Sequence, residues 1–401
     1  LPGMPRILRI LNRLTIGGPL LNAAYLTRYM APEFETLLVV GDREHHETDA
    51  GFVTDRLGIE PVYLPEMGRS IDPRKDYKAY KKVQGIIRKF RPDIVHTHAA
   101  KPGAVGRMAA RATRVPVVVH TYHGHVFHSY FSPAKTRIIL AAERYLGRLS
   151  DAIIAISAEQ KRELCQEFRI APESKFHIIP LGLDLDRFRD GREAKRAQFR
   201  QEFQVRPDEV VISIIGRLVA VKNHGLFLEG LSRVLSRTGQ QVRAFIVGDG
   251  ETRGQLEERA RALGIPFTTS QDLEHRAPLV FTSWRSDVDC VVAGSDIIAL
   301  TSLNEGTPVS LIEAQAANRP VISTRVGGIG DIVREGETGL LSAVQDTEGF
   351  AANLLRLVED EELRARLGSR GAGFVMERFS YQRLVRDMAA LYHQLINQKK
   401  P

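Results

Sequence analysis

The stretch Asp296–Val333, DIIALTSLNEGTPVSLIEAQAANRPVISTRVGGIGDIV, constrains the fold more than any other part of the chain. An apolar strand over Ile297–Leu300 breaks into a polar loop from Thr301 to Thr307. A helix is then expected to open with Pro308 in its first turn, where a missing N–H is harmless. It should stop near Asn318, before Pro320, and a second apolar run leads to the pair Gly327–Gly328. Strand, glycine-containing loop, helix and strand form a unit that binds phosphate at a helix N-terminus, because free N–H groups and the macrodipole both point at the anion. Glu305 lies just before the helix and Glu313 on it. From Pro308 to Glu313 a helix rises roughly 8 Å, the span from a diphosphate to its ribose. One carboxylate is thereby set near whatever hangs from the phosphate and the other near a diol. Two glutamates at this spacing also occur on solvated helices, so the glycine after the first, the proline and the later glycine pair carry the weight.

A chain of 401 residues exceeds one ordinary core, so two domains are expected. With 43% hydrophobic and 26% charged residues its composition is that of a globular protein, and no apolar run is long enough to span a bilayer. The opening LPGMPRILRILNRL has a short apolar segment unlike a signal peptide. Cys165 and Cys290 stand far apart in regular elements and are expected to be free thiols of a reducing, cytoplasmic compartment. The net charge of +8 suits anionic partners. No zinc-finger spacing, helix-turn-helix or RNA-binding signature accompanies it, which favours phosphates and anionic lipid over nucleic acid. The predicted helix Asp76–Phe90 carries Lys78, Lys81, Lys82, Arg88 and Lys89. Such a face is usually just solvated; the competing reading is peripheral contact with an anionic membrane surface.

Strand–glycine–helix units recur along the chain. Ile7–Leu11 leads into Gly17–Gly18–Pro19 and a helix. Short strands Asp93–Val95 and Val115–Val119 run into HTHAAKPG and HTYHGHVFH, so that six histidines fall between His96 and His128, mostly just past strand ends, where open α/β sheets bind ligands. A metal site lacks an HExxH pattern or a facing carboxylate, and none is expected; capping suits His96, His120 and His128. His123 and, as the poorer candidate further into the loop, His125 lie in the TYHGH turn, where a functional reading competes with a structural one. Later, Val210–Ile215 runs into GRLVAVKNHG, which sets Arg217 and Lys222 directly after a strand and a glycine. Ser283, Trp284 and Arg285 follow another strand. REGETGLLS reads as hairpin-like, and a last helix follows Phe379–Ser380.

NEGTPVSLIEA, with seven residues between its glutamates, resembles the E-x7-E element of retaining GT-B glycosyltransferases of glycosyltransferase family 4. GRLVAVKN resembles that family's phosphate segment, TYHGH its sugar-contacting histidine turn, and PLGLDLDRF its interdomain crossing, with Leu181 where asparagine is usual. SWRSDVDCVVAGSD resembles the base-side segment, with Ser283 where glycine is common. The resemblance covers nearly the whole chain. It implies an α/β GT-B fold of two Rossmann-like, doubly wound domains facing across a cleft. Residues 1–183 would form an acceptor-side domain on which a helix over 380–398 packs back, and 184–379 a nucleotide-sugar domain. It further implies a hexosyltransferase that moves a sugar from a nucleoside diphosphate sugar, UDP-sugar favoured, to a hydroxyl of a glycan, lipid-linked or small-molecule acceptor, with retention and without metal or other cofactor. In that assignment Arg217 and Lys222 bind the diphosphate with the backbone of Gly306, Thr307, Pro308 and Val309; Glu305 holds sugar hydroxyls; Glu313 takes the ribose diol; His123 contacts the sugar; Gly17 and Gly18 line the first loop; and Arg285 lies on the base side. A 2-epimerase of the same fold and a non-catalytic sugar-nucleotide-binding subunit are the alternatives. The second would be expected to have lost Glu305, Lys222 or His123, and all three are present.

Overall fold

The computed structural model describes residues 3–15, 17–41, 50–68, 72–124, 133–270, 272 and 274–399. The chain divides into two units, Leu1–Leu183 with Phe379–Pro401, and Asp184–Arg378. In the first, strands β1 (Arg6–Leu11), β2 (Glu35–Gly41), β3 (Val62–Leu64), β4 (Ile94–His98), β5 (Val117–Tyr122), β6 (Ala152–Ala155) and β7 (Phe176–Ile178) form a seven-stranded sheet in the order β3-β2-β1-β4-β5-β6-β7. In the second, β8 (Glu209–Ile215), β9 (Gln241–Val247), β10 (Phe267–Thr269), β11 (Leu279–Ser283), β12 (Ile297–Leu300), β13 (Val321–Thr324) and β14 (Gly339–Ser342) are ordered β10-β11-β9-β8-β12-β13-β14. Every pair within these sheets is parallel, with registers such as Ile10↔Thr97 and Ala299↔Ile214. The fold class is α/β, as expected.

Parallel strands buried on both faces read as continuous apolar runs. VVISII of β8 and IIAL of β12 are such runs, and both are buried. Helices supply the covering layers. In the second unit Phe227 and Leu231 pack with Phe350 and Leu354 on Ile212 and Ile214. In the first, Leu384, Met388, Tyr392 and Leu395 of the last helix, Tyr381–Lys399, join Ile7, Leu26, Phe34 and Val117. That helix is tied in by Leu183 N–H to Phe379 O at 2.7 Å and by Arg383, which donates to the carbonyls of Pro180 and Leu181 at 2.8 and 2.7 Å.

Strand order reverses direction around β1 and β4 in one sheet, and around β8 and β12 in the other. Loops leaving such a switch point diverge and open a crevice at the strands' carboxyl ends. Three expectations need correction. REGETGLLS is no hairpin: Gly339–Ser342 is an edge strand parallel to β13, because Leu340 and Leu341 find more burial beside Ile322 and Ser323 than in a local turn. The basic helix begins at Pro73 rather than Asp76, since the Asp72 carboxylate caps it by accepting from the N–H groups of Arg74 and Lys75 at 3.0 and 3.2 Å. And β4 and β5 continue through their polar ends to His98 and Tyr122, held by pairs such as His98↔Thr121. His96 and His120 therefore sit within strands and cap nothing. His125 and His128 lie outside the described residues.

Candidate active site

In the second unit the loops after β8 and β12 are stitched together at the switch point. Leu303 N–H donates to Val221 O at 2.8 Å, and the Thr301 hydroxyl lies 3.2 and 3.0 Å from the carbonyls of Lys222 and Asn223. Asn223, left-handed at φ 47°, turns the chain from the 3-10 turn Ala220–Lys222 into the helix His224–Arg237. This stitching delivers Lys222 to Glu305: Nζ donates to Oε1, and the Ser302 hydroxyl donates to the same oxygen at 2.5 Å. Both side chains are mostly shielded, with 23% and 10% exposed, so the pair is stronger than a surface ion pair. Glu305 Oε2 has no partner among the described residues. Arg217, one residue past Gly216, is exposed and makes no ion pair among them.

Glycines 327 and 328 explain how this loop is shaped. A Cβ on Gly327 would lie 2.0 Å from Glu305 O, and one on Gly328 2.0 Å from Gly306 O. Gly328 N–H donates to Glu305 O at 3.1 Å, so the glycine pair clamps the loop from below by main chain alone. The helix beyond runs Val309–Ala316, slightly shorter than expected. Pro308 is its N-cap, in an extended conformation, rather than a residue of its first turn. No side chain caps this end, and the N–H groups of Gly306, Thr307 and Val309 make no hydrogen bond among the described residues. Unused donors and the positive end of the helix dipole thus lie beside Glu305.

Glu313, on the same helix, is partly buried, and its carboxyl makes no hydrogen bond among the described residues. Burial pushes its pKa up to about 8; Arg187 pulls it down and Asp289 adds to the rise. Arg187 cannot neutralise it, being held by Asp289 at 2.6 Å. Glu313 is therefore not part of the Lys222–Glu305 pair.

Arg285 is not brought to this cluster. Its guanidinium is forked onto Glu202 at 2.6 and 2.8 Å and onto Asp287 at 2.9 and 2.6 Å, and it lies over the Phe203 ring at 5.2 Å. Most of its planar donors are engaged by Glu202, at the end of the helix Arg192–Glu202, and by Asp287. Trp284 is 51% exposed and makes no ring contact among the described residues. Ser283 adopts φ 59°, the left-handed backbone that glycine would favour, and its hydroxyl accepts from Arg253 at 2.5 Å.

In the first unit Gly17, at φ 158° and ψ 172°, is the N-cap of the helix Gly18–Tyr29, and a Cβ on Gly18 would come within 3.0 Å of the buried Leu181. Around β4 and β5 the histidines pack together. Period-two alternation puts His96 and His98 on one face of β4. Their rings lie 4.2 Å apart, and His98 stacks on His123 at 5.2 Å. His96 is bonded on both nitrogens, to Tyr392 OH at 2.6 Å and Thr121 Oγ1 at 2.7 Å. Tyr392 also accepts from Arg9 Nη2 at 3.4 Å. His98 Nδ1 meets His123 Nε2 at 2.9 Å. Burial holds His96, His98 and His120 well below the ordinary histidine pKa, and His123 at about 3. The cluster is neutral.

Ser302, His98 and the Arg187–Asp289 pair were not foreseen. Ser302 stands three residues before Glu305, and the HTH of β4 already placed His98 beside His96; the Arg187–Asp289 contact joins distant segments and left no local trace. Among the described residues no group of three His, Cys, Asp or Glu side chains could hold a metal ion, and no helix is long and apolar enough to cross a membrane. Both cysteines are free.

Residues 195–374 match the family described as Glycosyl transferases group 1, and residues 18–187 that described as Glycosyltransferase Family 4. The Escherichia coli UDP-Gal:alpha-D-GlcNAc-diphosphoundecaprenol alpha-1,3-galactosyltransferase is 29% identical over 319 residues, covering 79% of this chain and 79% of the relative. The D-inositol 3-phosphate glycosyltransferase of Rhodococcus erythropolis is 30% identical over 313 residues, covering 75% and 67%. Among solved structures, Anabaena Alr3699/HepE in complex with UDP and glucose superposes with a TM-score of 0.79 at 20% identity, over 97% of this chain and 100% of that one. The lipopolysaccharide outer core galactosyltransferase WaaB gives 0.69 at 17%, over 97% and 99%. These structural likenesses identify the fold as GT-B. With both halves matched, the chain belongs to the group 1, family 4 glycosyltransferases, which draw their sugar from a nucleotide donor.

Proposed function

We propose that this protein is a retaining, UDP-sugar-dependent glycosyltransferase that needs no metal ion and passes a hexosyl group to a hydroxyl of a glycan, lipid-linked or small-molecule acceptor. The observation that carries the reading is Glu305, bound by Lys222 and Ser302 beside an uncapped helix N-terminus, with the unpartnered Glu313 further along the same helix. Departure of UDP builds negative charge on the β-phosphate and positive charge on the sugar ring. Arg217, Lys222 and the N–H groups of Gly306, Thr307 and Val309 would oppose the first, the N–H groups being held in place before the reaction begins. Lys222 would exchange Glu305 for the diphosphate and so leave that carboxylate to the sugar hydroxyls. Glu313 would accept from the ribose diol, and His123 would contact the sugar. The unit Asp184–Arg378 would then hold the donor, and the other unit would serve the acceptor. Two similar proteins support UDP, the Escherichia coli UDP-Gal galactosyltransferase and the Anabaena protein in complex with UDP and glucose. Retention rests on the likeness to the E-x7-E element.

Saturation-transfer NMR against UDP-, GDP- and ADP-sugars, followed by the anomeric configuration of the product and turnover in EDTA, tests this. Preferred binding of UDP-sugars, a retained anomer and full activity in chelator are expected. An inverted anomer, or chelator-sensitive activity restored by one metal, would overturn the corresponding part. The helix Pro73–Phe90, with Lys78, Lys81, Arg88 and Lys89 exposed and Lys82 paired to Glu66 at 2.6 Å, is proposed to touch anionic lipid. Equal flotation with neutral and anionic liposomes would remove that part.

A further inference from the structure

The register His98↔Thr121 brings His123, two residues beyond Thr121 and one past the end of β5, beside His98. That geometry produces the 2.9 Å contact between His98 Nδ1 and His123 Nε2. A neutral imidazole has one N–H and one bare nitrogen. One proton therefore lies between the two rings, and it couples their tautomers. If His98 donates, its Nε2 is bare and His123 carries its proton on Nδ1. If His123 donates, its Nδ1 is bare and His98 carries its proton on Nε2. In either state the two outer nitrogens are one donor and one acceptor. Those same two atoms, His98 Nε2 and His123 Nδ1, are shielded from solvent and have no hydrogen-bond partner among the described residues.

Resting on the reading of His123 as a sugar contact, we propose that His98 is a positioning residue for the transfer, which holds the ring that His123 presents to a sugar hydroxyl and couples its tautomer to its own. The ring is well placed for this. His98 is fully buried, and it lies against His96, which is itself pinned on both nitrogens by Tyr392 and Thr121. Tyr392 is in turn held by Arg9 on β1 and by the core under the last helix. His98 thus has a fixed platform on one side and His123 on the other. A hydroxyl both donates and accepts, so a defined histidine tautomer selects which of its two roles the sugar uses.

The test is long-range 1H–15N NMR of the histidine rings in the full chain, combined with UDP affinity and turnover of whichever UDP-sugar the donor panel identifies. Wild type should show His98 and His123 each in one tautomer, with opposite outer nitrogens. His98→Leu should release His123 into a tautomer mixture and lower turnover by about 10- to 100-fold, the scale of a misplaced contact group, with UDP affinity unchanged. His98→Asn, whose amide restores a bond near the Nδ1 position, should recover most of both. Adding His98→Leu to His123→Ala should cost nothing further. Unchanged tautomer and turnover in His98→Leu would overturn the proposal, as would a turnover loss with the tautomer intact and no rescue by asparagine. Should the leucine variant not fold, a wild-type His123 that is mixed or protonated at neutral pH decides against it. Normal turnover in His123→Ala defeats the reading of His123 itself and the proposal with it, an outcome distinct from a failure at His98 alone.

Discussion

The two units use one architecture for opposite electrostatics. Each places its notable side chains beside the switch point of a seven-stranded parallel sheet. In the second unit these groups are acids and bases: Lys222, Glu305 and Arg217 on loops, and Glu313 within the following helix. In the first they are neutral and stand in strands or one residue past them: His96, His98, His120 and His123. Burial explains the difference. Strand interiors penalise the charged form of histidine and leave the imidazoles as hydrogen-bonding rings, whereas Lys222 and Glu305 meet as an ion pair on their loops. The proposed function puts phosphate on the unit with the ion pair and sugar hydroxyl groups on the histidine unit.

The comparison breaks first at Lys222. Lys222→Ala removes a fixed cation and leaves Glu305 with only the Ser302 hydroxyl as partner. Turnover should fall by about 100- to 1,000-fold, the effect of losing one preorganised donor to the developing charge. UDP binding should weaken by roughly 1.5–3 kcal/mol, the range for hydrogen bonds to charged groups. Calorimetry with unchanged UDP affinity in both Lys222→Ala and Arg217→Ala would end the phosphate assignment.

A second test sets Glu305→Gln beside His123→Ala, one from each unit. Both should lower turnover, since both are read as sugar contacts whose hydroxyls shift as the ring flattens. They should part on UDP. Glu305→Gln weakens the hold on Lys222, so UDP should bind as well as before or more tightly; His123→Ala should leave UDP unchanged. Because His123 titrates near 3, its removal should not alter the pH–rate profile between about pH 5 and 9. Weaker UDP binding in Glu305→Gln, or a lost inflection in His123→Ala, would show the division between the units to be wrong.

How far the sequence carried the argument follows the same line. β8 and β12 are apolar runs that end in glycine or polar loops, so their ends and the positions of Arg217, Lys222 and Glu305 could be read directly. β4 and β5 could not be followed to their ends, because His96, His98 and His120 interrupt the apolar pattern and are strand residues only through pairing with neighbours. For the same reason the His98–His123 contact was invisible: it depends on register across two strands. β14 was disguised by the turn chemistry of REGETG. Arg285 shows the limit of charge as a signal, for a guanidinium suits a nucleotide and a carboxylate pair equally, and its pairing with the distant Glu202 left no local trace.

The smallest effect, and the finest test of the comparison, belongs to Glu313. It is the one charged-unit residue that burial treats as the histidine unit is treated, pushing its pKa up to about 8. The groups facing it are Arg187, which favours ionisation, and Asp289, which opposes it and already occupies Arg187. Below that pKa the resting carboxyl is mostly protonated. Accepting from two ribose hydroxyls requires the ionised form, so the sign is clear: UDP affinity should rise with pH between about 7 and 8.5, by at most about tenfold, the change in ionised fraction that one shifted group can supply over that window. Binding near neutral pH should release a proton, read by calorimetry in buffers of different ionisation enthalpy. UDP has its own titrating phosphate, so the control is Glu313→Gln, which keeps the size, cannot ionise, and should bind UDP more weakly with a flatter pH slope. If wild type and Glu313→Gln show the same slope and the same proton release, the carboxyl does not hold the ribose. Glu313 would then be a partly buried helix residue with no part in binding the nucleotide.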